Sequence, residues 1–446
     1  MATMNATLTP AQADTLPERT RRRITMRLAP FLFVLYILNY LDRVNVSYAS
    51  LQMTGELHFS NAVFGFGAGI FFIGYFLLQV PAAMLVETWS ARSFIGASLI
   101  LWGGLATTTG FISTAQQFYW IRFLLGIAEA GFFPGVIIYL THWYRYEDRG
   151  KAVAMFMAAI PASNMLSAAI ASVLIKITWL GYSGWRWLLM LEGLPAIVAG
   201  IVTFFYLTDW PKDARWLADD EREWITGALE QERLTKKRRE TLTAWQALSH
   251  PTVVVFSLIY FCYITNSTGL GTWLPKIVQR ISGLSQTQVI LISGIPWLAA
   301  LPAMLWSASH SDRTSERKLH AALPILLFGV ALLVSVFAGN HIVLAIAAFS
   351  VATMALYSFP SPFWALPTVF LSGPAAAASI ALINSIGNLG GFLGPYVIGY
   401  LSDQTGGFTA GLLYLVGAGF LGGLLVLSLR PEKSPAPLAV AAKRMA

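Results

Sequence analysis

Two acidic and two arginine side chains lie inside stretches of sequence that are otherwise apolar. Asp42 and Arg43 interrupt the first apolar run of the chain, and Arg122 and Glu129 interrupt the fourth. A charged side chain in a bilayer costs about 2.5–3.5 kcal/mol on insertion scales, so such residues are rare and mark functional sites. Carboxylates can take up protons, and guanidiniums bind anions. The four residues therefore suggest proton-coupled transport of an anion.

The spacing of these residues restricts how they pair. Asp42 and Arg43 are adjacent and point about 100° apart around a helix, whereas Arg122 and Glu129 are separated by about 10 Å along one. Neither acid is well placed to pair with the arginine of its own helix. We expect cross-pairing between the first and fourth apolar runs, which makes the cluster neutral. The alternative is a permanently ionised cluster that only fixes helix packing.

The composition indicates which elements position this cluster. Apolar residues make up 56% of the 446 residues, charged residues 12%, and the mean hydropathy is +0.61. A soluble protein carries about twice that charged fraction. Runs of about 20 apolar residues predict membrane-spanning helices, and the chain is expected to be an all-α membrane protein. We place twelve transmembrane helices near 28–50, 62–86, 93–112, 117–141, 151–175, 185–207, 251–273, 286–308, 319–338, 341–364, 376–400 and 409–429.

The basic residues predict the orientation. With both termini cytoplasmic, most of the 30 lysines and arginines fall on the inner side, as the positive-inside rule requires. Outside the membrane on the other face lie only Lys176, Arg186, Lys276 and Arg280. The net charge of +8 is therefore a topology signal and does not indicate nucleic-acid binding. The first 27 residues are polar and basic, without the apolar region of a secretory signal.

A repeat predicts the domain organisation. The turn Glu87 to Arg92 after the second span and the turn Asp312 to Arg317 after the eighth both begin with an acid and end with an arginine. The alternative is two unrelated charged turns. With the matching hydropathy we expect two six-helix pseudo-symmetric halves, a transporter architecture with its site between the halves. The expected units are an N-terminal tail (1–27), a first half (28–207), a linker (208–250) with a solvated helix at 219–239, a second half (251–429) and a C-terminal tail (430–446).

Several segments carry a resemblance to a known family. The two charged turns resemble weak copies of the loop motif G-x-L-x-D-R-x-G-R of the major facilitator superfamily, with Glu87 in the place of the aspartate in the first copy. The chain resembles this superfamily over nearly its whole length. Within it, the chain is similar to the anion:cation symporter branch, which includes tartrate, sugar-acid, phthalate and nicotinate carriers. The segments that carry this likeness are Asn39–Asn45, Gly74–Pro81, Ile121–Ala130, Gly184–Trp187 with Glu192 and Gly193, and Asn384 with Gly390–Pro395.

The resemblance implies roles for individual residues. It implies that Asp42 and Glu129 carry protons, that Arg43 contributes to recognition of the substrate carboxylate and that Arg122 ties the cluster together. It also implies that four further positions face the substrate: Tyr40, Tyr75, Trp364 and Asn384. In the loop motif it implies gating roles for Glu87, Arg92, Asp312, Arg313 and Arg317.

The second half contributes neutral groups, because no charged residue interrupts its apolar runs. Ser361 and Trp364 lie in a run broken by prolines, where freed backbone groups are tolerated beside a cavity. Asn384 is expected to face the substrate from the eleventh span, and Asn164 from the fifth. For Tyr40 and Trp364, a lipid-facing position or a packing role inside the protein is an equal alternative. Glu192 is expected to form an ion pair with Arg186 or a helix-end contact.

The expected function is uptake of a small organic carboxylate with protons by alternating access in a bacterial inner membrane. A proton-coupled exporter or an anion exchanger of the same fold is the alternative, although the fifth span lacks the glycine-rich run of drug antiporters. A membrane sensor would be expected to add a signalling domain. An enzyme, a metal site and a cofactor are not expected, because His and Cys form no ligand cluster. We expect a monomer, and the particular carboxylate stays open between tartrate, sugar acids and aromatic acids.

Overall fold

The computed structural model describes residues 15–236, 251–370 and 375–429, without the side chains of 83, 87, 88, 233, 235, 236, 368–370, 375–378 and 381. The predicted tails and the end of the linker lie largely outside these ranges. Helices account for nearly all of the described residues. In chain order they are α1 (Leu16–Glu56), α2 (Asn61–Thr88), α3 (Ala91–Thr109), α4 (Ala115–Glu129), α5 (Phe132–Trp143), α6 (Tyr146–Met157), α7 (Ala159–Leu174), α8 (Gly184–Tyr206), α9 (Asp219–Lys236), α10 (Pro251–Ser282), α11 (Gln286–Thr314), α12 (Lys318–Phe337), α13 (Ile342–Ser358), α14 (Pro360–Phe370), α15 (Ala375–Asn388), α16 (Gly390–Thr405) and α17 (Thr409–Ser428).

Ten helical segments of the described chain are long and apolar enough to cross a membrane. They correspond to the predicted spans except the third and the eleventh. The third is α3, which begins beside Arg92 and ends in three threonines. The eleventh is divided between α15 and α16, which carry asparagines and several glycines. Arg92 and the threonines lower the apolar character of α3, whereas α15 (14 residues) and α16 (16 residues) are each shorter than a spanning helix of about 20 residues.

The first helix starts well before the apolar run. It begins at Leu16 because Thr15 and Glu18 form a capping box and Pro17 occupies the first turn, both of which favour a helix start. The basic residues before Leu28 therefore extend the first spanning helix and do not form a separate tail.

The fourth predicted span is interrupted directly after a site residue. Helix α4 ends at Glu129, and α5 begins at Phe132. The cause is Pro134, which has no N–H to donate to the carbonyl of Ala130 and whose ring crowds it. A carboxyl group that sequence analysis placed inside a helix therefore lies at a helix end.

The tenth predicted span is also broken, as its prolines predict. Helix α13 ends at Ser358 and α14 begins at Pro360, with Phe359 between them. The carbonyl of Ser358 accepts a hydrogen bond of 3.0 Å from the Ser307 hydroxyl of α11. A neighbouring helix thus satisfies one of the freed backbone groups.

Helix packing shows two related halves. In the first half α3 packs on α8, α2 on α4 and α1 on α7; in the second, α12 packs on α17, α11 on α13 and α10 on α16. Each pair of the first half has its counterpart six predicted spans later. Between the halves α2 packs on α16 and α7 on α11, which are also equivalent pairs. The structure therefore has the pseudo-symmetry of an internal repeat.

The linker helix α9 packs on the first half. Glu221 accepts hydrogen bonds from the Arg19 Nε (3.0 Å) and Arg23 Nη1 (2.7 Å) of α1. Glu232 pairs with Arg149 of α6 at 3.2 Å. We call the side of the bundle that carries α9 the linker end, and the side with the α1–α2, α10–α11 and α16–α17 connections the far end.

Candidate functional site

An ion pair joins the first and fourth predicted spans. The Arg43 Nε of α1 donates a hydrogen bond of 2.8 Å to Oε2 of Glu129, the last residue of α4. Asn39 donates a second hydrogen bond of 2.9 Å to the same oxygen. This is one of the two cross-pairs that the spacing of the charges predicts; the other, Asp42 with Arg122, does not form a direct ion pair among the described residues.

The two partners differ in their access to solvent. Glu129 is fully buried, and its Oε1 has no hydrogen-bond partner within the described residues. The Arg43 side chain keeps 22% of its surface exposed. An exposed guanidinium with remaining N–H groups can still bind a carboxylate. Arg43 is thus available to an anion while it pairs with Glu129.

Aromatic rings of α1 and α2 surround this guanidinium. The Arg43 Cζ lies 5.0 Å from the ring centre of Tyr75, 5.4 Å from that of Phe71 and 6.0 Å from that of Tyr40. Arg122 lies over the Phe71 ring at 4.9 Å. Phe71 therefore contacts both arginines, and cation–π attraction adds to their positioning.

A glycine allows α4 to approach α2 at this point. A Cβ on Gly126 would lie 1.9 Å from the Phe71 carbonyl oxygen, a distance that no side chain tolerates. Gly126 lies between Arg122 and Glu129 on α4. The close contact of the two helices therefore helps to place Arg122 over the Phe71 ring.

Asp42 lies apart from this ion pair, buried within the first half. It is 2% exposed, and neither carboxylate oxygen has a hydrogen-bond partner among the described residues. The Trp102 indole lies beside it. A cavity of about 10 Å³ separates Asp42 from Arg122, whose Nε also has no partner in the described chain. A cavity of this size holds about one water molecule, so the two residues are placed for a water-mediated contact.

Aromatic residues of the second half face the cluster. Tyr260 of α10 lies near Tyr40 and Tyr75, and its ring centre is 4.8 Å from that of Trp364. Tyr357 of α13 lies beside Tyr40. The two halves therefore meet around Arg43 with aromatic groups on both sides.

The other predicted residues of this region differ in their environment. Asn164 is 2% exposed and lies beside Tyr357, while Asn384 and Trp364 are half-buried. Ser361 is exposed next to the helix break. The described contacts bring Asn164 and Trp364 to the aromatic residues around Arg43, whereas they do not tie Ser361 or Asn384 to that cluster.

The expectation for Glu192 is wrong. Arg186 pairs instead with Glu56 at 3.0 Å, and its Nη1 donates to the carbonyls of Gly110 and Ile112 at 2.8 and 2.9 Å. Glu192 is buried, with no hydrogen-bond partner for either oxygen among the described residues. The spacing of Arg186 and Glu192 suggested an ion pair, but the Arg186 guanidinium pairs with Glu56 at the end of α1 instead.

The loop-motif residues lie at the linker end. The backbone N–H of Arg92 donates to Asp209 at 2.9 Å, and its side chain lies 3.7 Å from the same carboxylate. Asp312 pairs with Arg317 at 3.0 Å, and Arg313 is exposed. The side chain of Glu87 lies outside the described residues. The two turns therefore use different partners for their arginines.

Contacts between the halves are concentrated at the far end. Gln52 of α1 donates to Gln286 of α11 at 2.8 Å. Asp403 of α16 accepts hydrogen bonds from the N–H groups of Asn61 (3.0 Å) and Ala62 (2.7 Å) at the start of α2. One further hydrogen bond, from Ser385 to Gln79 at 3.2 Å, lies deeper between the halves. These contacts close the far end over the cluster.

Sequence reasoning did not single out Asn39, Phe71, Trp102 or Tyr260 as site residues. For Asn39 a signal exists, because an amide four residues before Arg43 lies on the same face of a helix. The aromatic residues give no such signal, since the apolar runs contain many of them. Only the packing of separate helices distinguishes these from aromatic residues that face lipid.

Comparisons with known proteins agree with this architecture. The family model described as Major Facilitator Superfamily matches residues 32–395. A protein of Agrobacterium vitis named "Putative tartrate transporter" is 42% identical over 415 residues, which cover 93% of this chain and 94% of that protein. A "Quinolone resistance transporter" of Acinetobacter baumannii is 36% identical over 395 residues, 88% of this chain and 91% of the relative. The crystal structure of a bacterial homologue of the lysosomal transporter Spinster, inward-facing and unoccupied, superimposes with a TM-score of 0.76 at 16% identity, over 93% of this chain and 99% of that one.

Proposed function

The chain belongs to the Major Facilitator Superfamily, in the branch of organic-acid carriers, and we propose that it takes up a small organic carboxylate together with protons. The superfamily and the transporter fold are established by the family match and the relatives. The substrate class, the coupling to protons and the direction are the proposal.

One observation is the main support for the proposal. Arg43 pairs with a buried carboxylate and at the same time keeps part of its side chain exposed. Its Nε holds Glu129 at 2.8 Å, while 22% of the side chain is exposed. A substrate carboxylate binds to the remaining N–H groups. The aromatic residues on both sides, Tyr75 and Tyr260 among them, give the bound anion an apolar enclosure.

The same contact supplies the coupling. Glu129 is fully buried, so its ionised form depends on the positive charge of Arg43. When the guanidinium turns toward a substrate anion, Glu129 loses part of that stabilisation and takes up a proton. Binding of the anion and of the proton therefore favour each other. Asp42 and Arg122 extend the cluster as a second acid and a second guanidinium.

Transport then requires that the cluster opens to one side at a time. The halves touch at the far end through Gln52, Gln286 and Asp403, and their pseudo-symmetry allows an equivalent closure at the linker end. Rocking of one half on the other exposes the site alternately. The loop-motif residues at the linker end gate this movement: Glu87, Arg92, Asp312, Arg313 and Arg317.

We further propose twelve spans, with both termini in the cytoplasm and the linker end on the cytoplasmic side, in a bacterial inner membrane. The distribution of lysine and arginine supports this orientation. The protein acts as a monomer, since the site lies between two halves of one chain. The substrate contacts extend to Tyr40, Asn164, Ser361, Trp364 and Asn384.

The relatives narrow the substrate and also supply a second candidate function. The tartrate transporter name of the 42% identical relative makes a small hydroxy-dicarboxylate the first choice. The quinolone-resistance relative supports proton-coupled export instead. Two guanidiniums in the site, Arg43 and Arg122, favour a substrate with a carboxylate, which quinolones also carry. We place import of a small carboxylate first because the tartrate-transporter relative is the more similar of the two.

The test is uptake by purified protein in proteoliposomes. Labelled tartrate, a hexonate, phthalate, nicotinate and hydroxyphenylacetate are offered with and without an inward-directed proton gradient. Uptake of one anion that the gradient stimulates, and that Arg43→Ala abolishes, supports the proposal. Proton-driven extrusion of a quinolone without carboxylate uptake supports the exporter.

A further inference from the structure

A third buried acid lies in the first half and takes no part in the ion pair. Glu192 lies in the middle of α8, is 4% exposed, and has no hydrogen-bond partner for either carboxylate oxygen in the described chain. The nearest arginine on its helix, Arg186, is held by Glu56 and by two backbone carbonyls. An unpaired, buried carboxylate is strongly unfavourable, and such a group binds a proton instead.

The surroundings of Glu192 connect it to Asp42. Helix α8 packs on α1, α3 and α7. From α1 the ionisable groups that face Glu192 are Asp42 and Tyr48, and Asn45 lies beside it. The described part of α3 carries only Arg92, which is held by Asp209 at the linker end, and α7 carries no charged residue. Among the described residues, Glu192 thus has an acid neighbour and no positively charged partner.

A small cavity lies between Asp42 and Arg122, and Asn45, which lies beside Glu192, also lines it. Its lining includes Asp42, Asn45, Arg122 and Leu189. Leu189 precedes Glu192 by three residues on α8 and so lies on nearly the same face. At about 10 Å³ the cavity has room for one water molecule, which a proton needs to pass between polar groups that do not touch.

The charges of the first half show why a third acid matters. The cluster contains three buried carboxyl groups, those of Asp42, Glu129 and Glu192. It contains only two guanidiniums, those of Arg43 and Arg122. If all five were ionised, the cluster would carry one negative charge. A proton on one carboxyl group makes it neutral without substrate, and each carboxylate group of the bound anion then requires one further proton.

We propose that Glu192 is a proton-binding residue of the transport cycle that exchanges its proton with Asp42 through the water-sized cavity. The proton leaves the Glu192 carboxyl oxygen, crosses the water and protonates Asp42, with no other bond made or broken. Asp42, beside Arg122, is the group that releases or receives the transported proton. The inference rests on the proposed proton-coupled uptake and adds a second proton to the cycle.

Two measurements on Glu192→Gln test it. Glutamine has the shape of the neutral carboxyl group, so the variant keeps the packing of α8. Infrared spectra of the purified wild-type protein should show a protonated-carboxyl band that Glu192→Gln lacks and that the exposed-site control Glu223→Gln keeps. In proteoliposomes, the ratio of protons to anions, taken from the membrane potential that stops net uptake, should fall by one proton in Glu192→Gln only.

The outcomes separate this inference from the proposed function. Loss of the band together with the lower ratio supports a proton site at Glu192. Identical bands in wild type and variant, or an unchanged ratio beside intact proton-driven uptake, overturn the inference and leave the proposed function standing. A wild-type protein that takes up anions without response to a proton gradient contradicts the proposed function, and with it the inference.

Discussion

Arg43 of α1 donates its Nε–H to Glu129 across 2.8 Å, directly where α4 ends. This single contact joins two predicted spans, pairs a partly exposed cation with a fully buried acid, and lies between aromatic groups of both halves. Under the proposed function, an anion bound at Arg43 changes the environment of the acid. The predictions below test the parts of the protein that build and use this contact.

Arg43→Lys should weaken substrate binding although the charge is kept. Lysine lacks the planar fork that pairs with Glu129 and a substrate carboxylate at once. Loss of one hydrogen bond to a charged group, about 1.5–3 kcal/mol, corresponds to a dissociation constant raised roughly 10- to 150-fold. Calorimetric titration measures this, with the exposed Arg313→Lys as control. Equal affinities in both variants would show that Arg43 acts only as a point charge.

Gly126→Ala should destabilise the protein and reduce transport. The added Cβ would meet the Phe71 carbonyl oxygen at 1.9 Å, and overpacking of this kind costs about 1–3 kcal/mol. Thermal unfolding in detergent and uptake at saturating substrate measure the two effects. Gly104→Ala is the matched control, because a Cβ there meets nothing within 4 Å. A normal melting temperature for Gly126→Ala would contradict the close packing of α2 and α4.

Asp403→Asn should favour opening of the far end. The Asp403 carboxylate of one half caps the start of α2 in the other through Asn61 and Ala62. Asparagine keeps only one of the two acceptor oxygens, and the loss of one hydrogen bond costs about 1 kcal/mol, so the ratio of open to closed forms should rise about fivefold. Spin labels at Lys176 and Gln404, exposed on the two halves, report the distance distribution by double electron–electron resonance.

The control for this variant is Asp209→Asn, which removes a carboxylate from the start of α3. Asp209 accepts hydrogen bonds from Ser90 and the Arg92 N–H within the first half. Its loss should leave the distance between the halves unchanged. A wider distribution in both variants would mean that general loosening, and not a contact between the halves, explains the Asp403 result.

Glu221→Gln should loosen the linker helix. Burial by itself raises the pKa of Glu221, but hydrogen bonds from Arg23 and the Ala218 N–H outweigh it and hold the pKa below its ordinary value. Docking of α9 is therefore stabilised above the unfolded carboxyl pKa of about 4.3 and loses this contribution as the pH falls through the lower folded value. At neutral pH the variant should exchange its α9 amide hydrogens about fivefold faster, for a loss of about 1 kcal/mol. Unchanged exchange, as expected of Glu223→Gln, would contradict the role of this carboxylate.

Much of the architecture follows from the sequence, because hydropathy and the charge pairs depend on local patterns. The Arg43–Glu129 pair was predictable, since residues 42 and 43 cannot share a helix face, whereas the direct pair of Asp42 with Arg122 that the same reasoning predicts is not made. The break at Phe359 follows from its flanking prolines. The break after Glu129 was not predicted, although Pro134, which causes it, is present in the sequence.

The features that could not be predicted from the sequence depend on contacts between distant segments. Glu192 and Arg186 have a plausible spacing for a pair, yet Glu56 takes the arginine from another helix. Phe71 and Tyr260 resemble every other aromatic residue of an apolar run until the helices are packed. Thr15 and Glu18 predict the start of α1 at Leu16. Hydropathy does not predict it, because the apolar run begins later.

The central claim is that Glu129 couples proton movement to the anion held by Arg43, and one measurement on Glu129→Gln tests it most directly. Proteoliposomes with wild type or variant are assayed for exchange of labelled substrate against internal substrate, and for net uptake driven by a proton gradient. The account predicts that Glu129→Gln keeps exchange, because its neutral amide mimics the protonated acid, and loses gradient-driven uptake. Gradient-driven uptake in Glu129→Gln at the wild-type rate would contradict it.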